Sequence, residues 1–226
     1  MSARSQISES ASLTLMLSVA GGFLGAYTNL CRTHGFANAQ TGNVVLVGIN
    51  LARGNMAGVF WHLSPIIFFL IGIAFADFVR HYCHGKKSPL HWRQITLLLS
   101  AALCGGVSFL PQSHNLFATS LVSMVWGIEI ESFLKVHSIG EERAMNIGNM
   151  RAAVHYFCDF LFTKDRRSLH DGLTMLYIIG MFTLGAAICG FTIDFWQERA
   201  VLFCAAIFLI GFAAMFYKGE GQTANK

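Results

Sequence analysis

Two Gly-Asn pairs and two glutamates carry the residue types and placing that could do chemistry in this sequence. Thr41-Gly42-Asn43 and Gly148-Asn149 each open a short segment of helical pattern. Thr is a good N-cap and Gly allows close backbone approach. A helix start leaves N–H groups unpaired at the positive end of the macrodipole, so a start set inside a membrane is a ready receptor for an anion or a polar group. The plainer reading is that the glycines let helices pack and the asparagines satisfy loop carbonyls. Glu129 and Glu131 lie deep in an apolar run. A carboxylate at membrane depth is costly and is protonated, paired or turned to water. Two positions apart on a helix, the pair points about 200° apart and cannot share one cavity. Proton coupling or cation binding is the functional reading, and an ion pair with a basic residue such as Arg151 the structural one.

The other clusters carry less. Arg151, His155 and Asp159 are spaced by four and form one stripe on a helix face, the pattern of a solvated interfacial stripe. His62, beside Pro65, reads as a hydrogen-bonded core histidine. Asp77 and Arg80 read as an interface pair. His81, Cys83, His84 and His91 match no standard zinc spacing, so no metal is expected. A Gly-rich phosphate loop, a metalloprotease motif and a nucleophile elbow are all absent from the sequence. Neither an enzyme nor a cofactor is expected. Five of the six cysteines sit in or beside apolar runs and read as small buried hydrophobes.

The elements that must position these residues are membrane helices. Of 226 residues 54% are hydrophobic and only 12% charged, and the mean hydropathy is +0.52. Soluble domains carry about 25% charged residues, so an ordinary soluble enzyme, a disordered chain and a nucleic-acid-binding domain are excluded. The lipid bilayer is the expected partner. A span takes about 20 apolar residues, and six segments fit or nearly fit: Leu13–Cys31, Val59–Val79, Gln94–Leu110, Leu116–Leu134, Gly172–Phe191 and Ala200–Tyr217. Thr41–Arg53 is too short to cross, and Met145–Phe162 carries Arg and Asp that are costly at depth. Both read as short, interfacial or re-entrant helices. With six spans, thirteen Lys and Arg fall on one side and three on the other. The positive-inside rule then puts both termini in the cytoplasm.

The sequence also echoes itself. Gly21 and Gly127 are 106 apart, as are Gly42-Asn43 and Gly148-Asn149; Gly72 and Gly180 are 108 apart, and Trp92 and Trp196 104. Each half reads as span, short segment, span, span. Three crossings per half make the second half inverted, an arrangement used by transporters.

The stretch Gly21-Gly22-Phe23-Leu24-Gly25-Ala26, followed by Phe36-Ala37-Asn38-Ala39-Gln40-Thr41-Gly42-Asn43, resembles the YoaK-type family of bacterial membrane proteins, whose function is unknown. The resemblance implies a bacterial integral membrane protein of several helices and no established activity. The family pattern has an acid where this chain has Gly25, and Thr-Gly-Asn where it has Ile147-Gly148-Asn149.

The expectation is therefore an all-α polytopic bundle of about six spanning helices plus two short ones. It forms a single membrane domain over 1–226, with repeats over about 13–110 and 116–217, in the bacterial inner membrane. Two functions stand open. One is a small-solute or ion transporter or channel, its site at Thr41, Gly42, Asn43, Gly148, Asn149, Glu129 and Glu131, taking a small polar or anionic solute. The other is a non-transporting scaffold or assembly partner. A mass of 24.9 kDa leaves a homodimer open, and no nucleic acid is expected.

Overall fold

The computed structural model describes residues 11–33, 35–84, 90–133 and 146–217, and every element among them is helical. In order these are α1 (Ala11–Tyr27), continued by a π-helical turn (Thr28–Arg32), α2 (Gln40–Ala52), α3 (Met56–Cys83), α4 (Trp92–Val107), α5 (Asn115–Phe133), α6 (Asn146–Thr163), α7 (Arg166–Trp196) and α8 (Leu202–Tyr217). Side chains start several of them. Asn55 accepts from Gly58 N at 3.1 Å ahead of α3, and Asp165 from Arg167 N at 2.9 Å ahead of α7. At the head of α4, His91 Nδ1 accepts from Arg93 N while Gln94 Oε1 accepts from His91 N, a reciprocal cap. Gln197, at φ 43°, breaks α7 from α8 through a 3-10 turn.

Four helical stretches are long and apolar enough to cross a membrane: Ser12–Arg32, Met56–Cys83, Gln112–Phe133 and Arg166–Phe216, the last holding both α7 and α8. The molecule is an apolar helical bundle of the membrane type.

Two helix pairs form its frame. α3 lies along α5 and α1 along α7. Ser64 meets Ser120 at 2.8 Å near one end of the first pair and Arg80 meets Glu131 at 2.9 Å near the other, so α3 and α5 run parallel. At each crossing backbone touches backbone. A Cβ on Gly72 would run into the Met124 carbonyl, and one on Gly127 into that of Phe69. In the other pair a Cβ on Gly22 would meet the Phe182 carbonyl, and one on Gly185 that of Val19. Close approach through small residues is how helices gain dispersion contact in lipid, where no hydrophobic drive separates protein from solvent. The close contact on α7 is thus at Gly185, whereas a Cβ on Gly180 would meet nothing within 4 Å.

Between the pairs, α4 packs on α5 and α8, and the main core gathers Phe23, Leu24, Leu97, Val122, Val125 and Phe208. At the periphery α2 packs on α3, and α6 on α7. No residue of α2 is buried. α6 buries the stripe Asn149, Ala152, Ala153, against Met175 and Ile178 of α7.

Candidate functional site

Glu129 lies inside the bundle, 6% exposed. Its Oε1 accepts a 2.6 Å hydrogen bond from Ser100 Oγ on α4. Its Oε2 is buried with no partner. The side chain lines a cavity of about 40 Å³, together with Thr14 and Ser18 of α1 and Asn146 at the start of α6. At about 10–15 Å³ for each water-sized probe, the space suits a few waters or one small ion. Ser18 Oγ donates to Thr14 O at 2.8 Å.

Glu131 points elsewhere, as helix geometry requires. Arg80 Nη1 on α3 donates to its Oε1 at 2.9 Å, and the same guanidinium pairs with Asp77. The basic partner is therefore Arg80, while Arg151 is exposed on α6. His155 and Asp159 lie 3.5 Å apart on the same outward side of α6.

The Gly-Asn starts are built differently from one another. α2 begins at Gln40 with Ala39 as its N-cap, and no side chain caps it. Thr41 is not the cap. The amides of Gly42 and Asn43 already bond Ala39 O at 3.0 and 3.3 Å, so the helix is under way before the hydroxyl could serve it. What fixes this start is the segment ahead of it. Gln40 Nε2 donates to Ala37 O at 2.7 Å, Ser123 Oγ donates to the same carbonyl at 2.8 Å, and Ala37 N donates to Thr28 Oγ1 at 3.1 Å. Gly42 is not a close-approach position either, since a Cβ there would meet nothing within 4 Å. Asn43 Oδ1 lies 3.4 Å from His62 Nδ1. Gly42, Asn43, His62, Trp61 and Thr119 border a cavity of about 220 Å³. Asn149, by contrast, is 1% exposed and belongs to the α6 stripe that faces α7. The two starts pack on different helices, and neither Gly148 nor Asn149 lines the cavity beside Asn43.

Several polar residues escaped the sequence. Arg32, which sequence alone counts as a loop charge, is 4% exposed. It donates to Tyr27 OH and to the carbonyls of Val107 and Leu110, at 2.8–2.9 Å, and to Asn115 Oδ1 at 3.2 Å. It thereby ties α1 to the last turn of α4 and the head of α5. The π-helical turn ends on this residue, and no spacing rule announces it. Asn38 donates to Gly21 O at 3.3 Å, and its amide lies 2.8 Å from where a Cβ on Gly25 would sit. The place where the YoaK-type pattern has an acid is thus filled from the loop. Ser100 had no motif to flag it. His81 turns to Asp77 O at 2.9 Å. His91 serves the α4 cap, and burial, then the charge of Arg93, lower its pKa to about 4. Cys158 is exposed rather than buried, because α6 shelters only one face.

A buried acid beside a small cavity in an apolar bundle defines a polytopic membrane protein with a polar interior site. Residues 13–215 match the model of the family described as "Protein of unknown function (DUF1275)". The chain belongs to that family, and the YoaK-type resemblance agrees with it. No curated protein and no solved structure matches the chain.

Proposed function

We propose that the chain is a small-solute or ion transporter of the inner membrane, built as an inverted repeat of two halves with six crossings. The observation that carries this reading is Glu129: a buried carboxylate, half of it unpartnered, lining a cavity at membrane depth. Ionisable groups are kept at such depth where ions or protons pass.

The pairing of helices supports the repeat. If α1 to α4 correspond to α5 to α8, then α1–α7 corresponds to α5–α3, and α2–α3 to α6–α7; all four contacts are present. The glycine crossings fall on corresponding helices, with Gly22 and Gly127 105 apart and Gly72 and Gly185 113 apart, offsets that differ by eight residues. Six crossings are supported by the 51-residue final stretch, broken at Gln197, because a single pass needs only about 20 residues. In this reading the larger cavity beside Gly42 and Asn43 receives the small polar or anionic solute, and Glu129 handles a coupled ion. The two lie on one helix, ten residues or about 15 Å apart between Thr119 and Glu129. Thr41, Gly148, Asn149 and Glu131 line neither cavity.

The test is reconstitution in liposomes that enclose a pH-sensitive dye, with small carboxylates, phosphate and amino acids offered in turn. A solute-dependent proton movement that Glu129→Gln abolishes is the expected result. One observation favours the alternative, a non-transporting scaffold or assembly partner: the two Gly-Asn starts do not line a common cavity. Inactivity towards every solute class, with the purified protein intact, would select it.

A further inference from the structure

We propose that the Glu129 cavity binds one small monovalent cation, a proton or a sodium ion, on Oε2. The inference deepens the transporter reading and rests on it for the ion's movement, whereas binding is tested without flux. Size comes first. About 40 Å³ suits a few waters or one bare ion. Polarity comes second. Ser100 commits its proton to Glu129 Oε1 and Ser18 its own to Thr14 O. The Trp126 indole and the Asn146 amide also line the cavity, yet among the described residues no donor reaches Oε2, and in a largely apolar lining this open acceptor calls for a positive occupant. Charge comes third. One carboxylate neutralises one positive charge, while a divalent ion would leave a net charge in a low-dielectric interior, at heavy cost. The oxygen set also excludes metals that select sulfur or imidazole.

Among the described residues the surrounding charges leave this one unbalanced. On α3, Arg80 is engaged with both Asp77 and Glu131. On α4, Arg93 Nε donates to Ser132 O at 2.9 Å, about a turn beyond Glu129, and Cys104 is buried near the carboxylate. From α1, α7 and α8 no charged side chain lines the cavity.

The experiment treats the purified full-length protein in detergent with dicyclohexylcarbodiimide and maps the modified residues by mass spectrometry. The carboxyl O–H adds across one C=N bond: oxygen bonds to carbon, the proton passes to nitrogen, and the acyl group then shifts to nitrogen with nothing leaving. Labelling should fall on Glu129 and spare Glu131, which Arg80 holds as an ion pair. Protection by NaCl, but not by KCl or choline chloride, assigns sodium. Labelling that follows pH alone, alike in the three salts, assigns the proton. Glu129→Gln should lose the label and, in the sodium case, any thermal shift with NaCl. If that variant does not fold, the wild-type pattern decides alone. Absence of Glu129 labelling at every pH, with no effect of NaCl on wild-type unfolding, overturns the proposal and makes the acid a water-bound structural group. Labelling without flux would keep the cation site and remove the transporter reading.

Discussion

Arg32 and Glu131 both meet polar partners, yet their surroundings set different worth. Arg32 is buried and serves the carbonyls of Val107, which ends α4, and of Leu110 just beyond it, together with Tyr27. Replacing it with Ala strands those acceptors, each worth about 1–3 kcal/mol when buried and unsatisfied. Arg32→Ala is expected to lower thermal stability in detergent by at least about 2 kcal/mol. Glu131 and Arg80 are partly exposed, with 25% and 36% of their side chains accessible, and exposed pairs contribute about 0–1 kcal/mol. Glu131→Gln should therefore shift the unfolding midpoint far less than Arg32→Ala does. Equal losses in the two variants would contradict this ordering. At this scale the sequence is legible where geometry is local. The divergence of Glu129 from Glu131 follows from 100° per residue, and His62 has the hydrogen bond expected of it. Arg32, Ser100 and Asn38 were not legible, because the partners that tie them to other helices lie 17 to 83 residues away along the chain. Only folding sets those distances.

Each of the eight segments read from apolar runs and breakers overlies a helix of the structure, the one over Gly172–Phe191 lengthened at both ends into α7. What composition could not supply is which glycine of a helix touches which neighbour. Gly180 and Gly185 stand about 140° apart on the helix, and only packing shows which of the two faces meets α1. Gly185→Leu and Gly22→Leu should each destabilise by about 1–3 kcal/mol or more through overpacking, while Gly180→Leu and Gly42→Leu stay near wild type. Thermal unfolding of the four variants in one detergent checks the split. The head of α4 adds a pH dependence. His91 caps it through Nδ1 as an acceptor, and its pKa is lowered to about 4 from an ordinary 6.5. The unfolded chain therefore takes up this proton first as the pH falls. The cap's contribution is complete above about 6.5 and is lost progressively towards 4. His91→Asn, which caps without titrating, should flatten the stability profile over that window. A profile unchanged by the substitution would assign the acid sensitivity elsewhere.

For the molecule as a whole, the six-span reading puts Asn55 and Asp165 on opposite sides of the membrane. In a cysteine-free background, Asn55→Cys should react with an impermeant maleimide added outside, and Asp165→Cys only after the cells are opened. External labelling of Asp165→Cys would overturn the orientation. The sequence argues for the proposed repeat through glycine and tryptophan echoes. The two glycine crossings add to that proposal, at offsets of their own, through helix faces rather than a fixed residue spacing.

The knot around Arg32 makes the two rims of this molecule mechanically unequal. One rim is stitched across α1, α4 and α5 by a single guanidinium sealed from solvent. The opposite rim, near Glu129, has its own buried tie, Arg93 to Ser132 O across α4 and α5, but α3 is tied to α5 there by Arg80 and Glu131, which water reaches. A body held this way gives first along the α3–α5 seam. Amide exchange should therefore run faster in the last turn of α3 than at 107–110, and in the six-span reading that seam opens towards the cytoplasm.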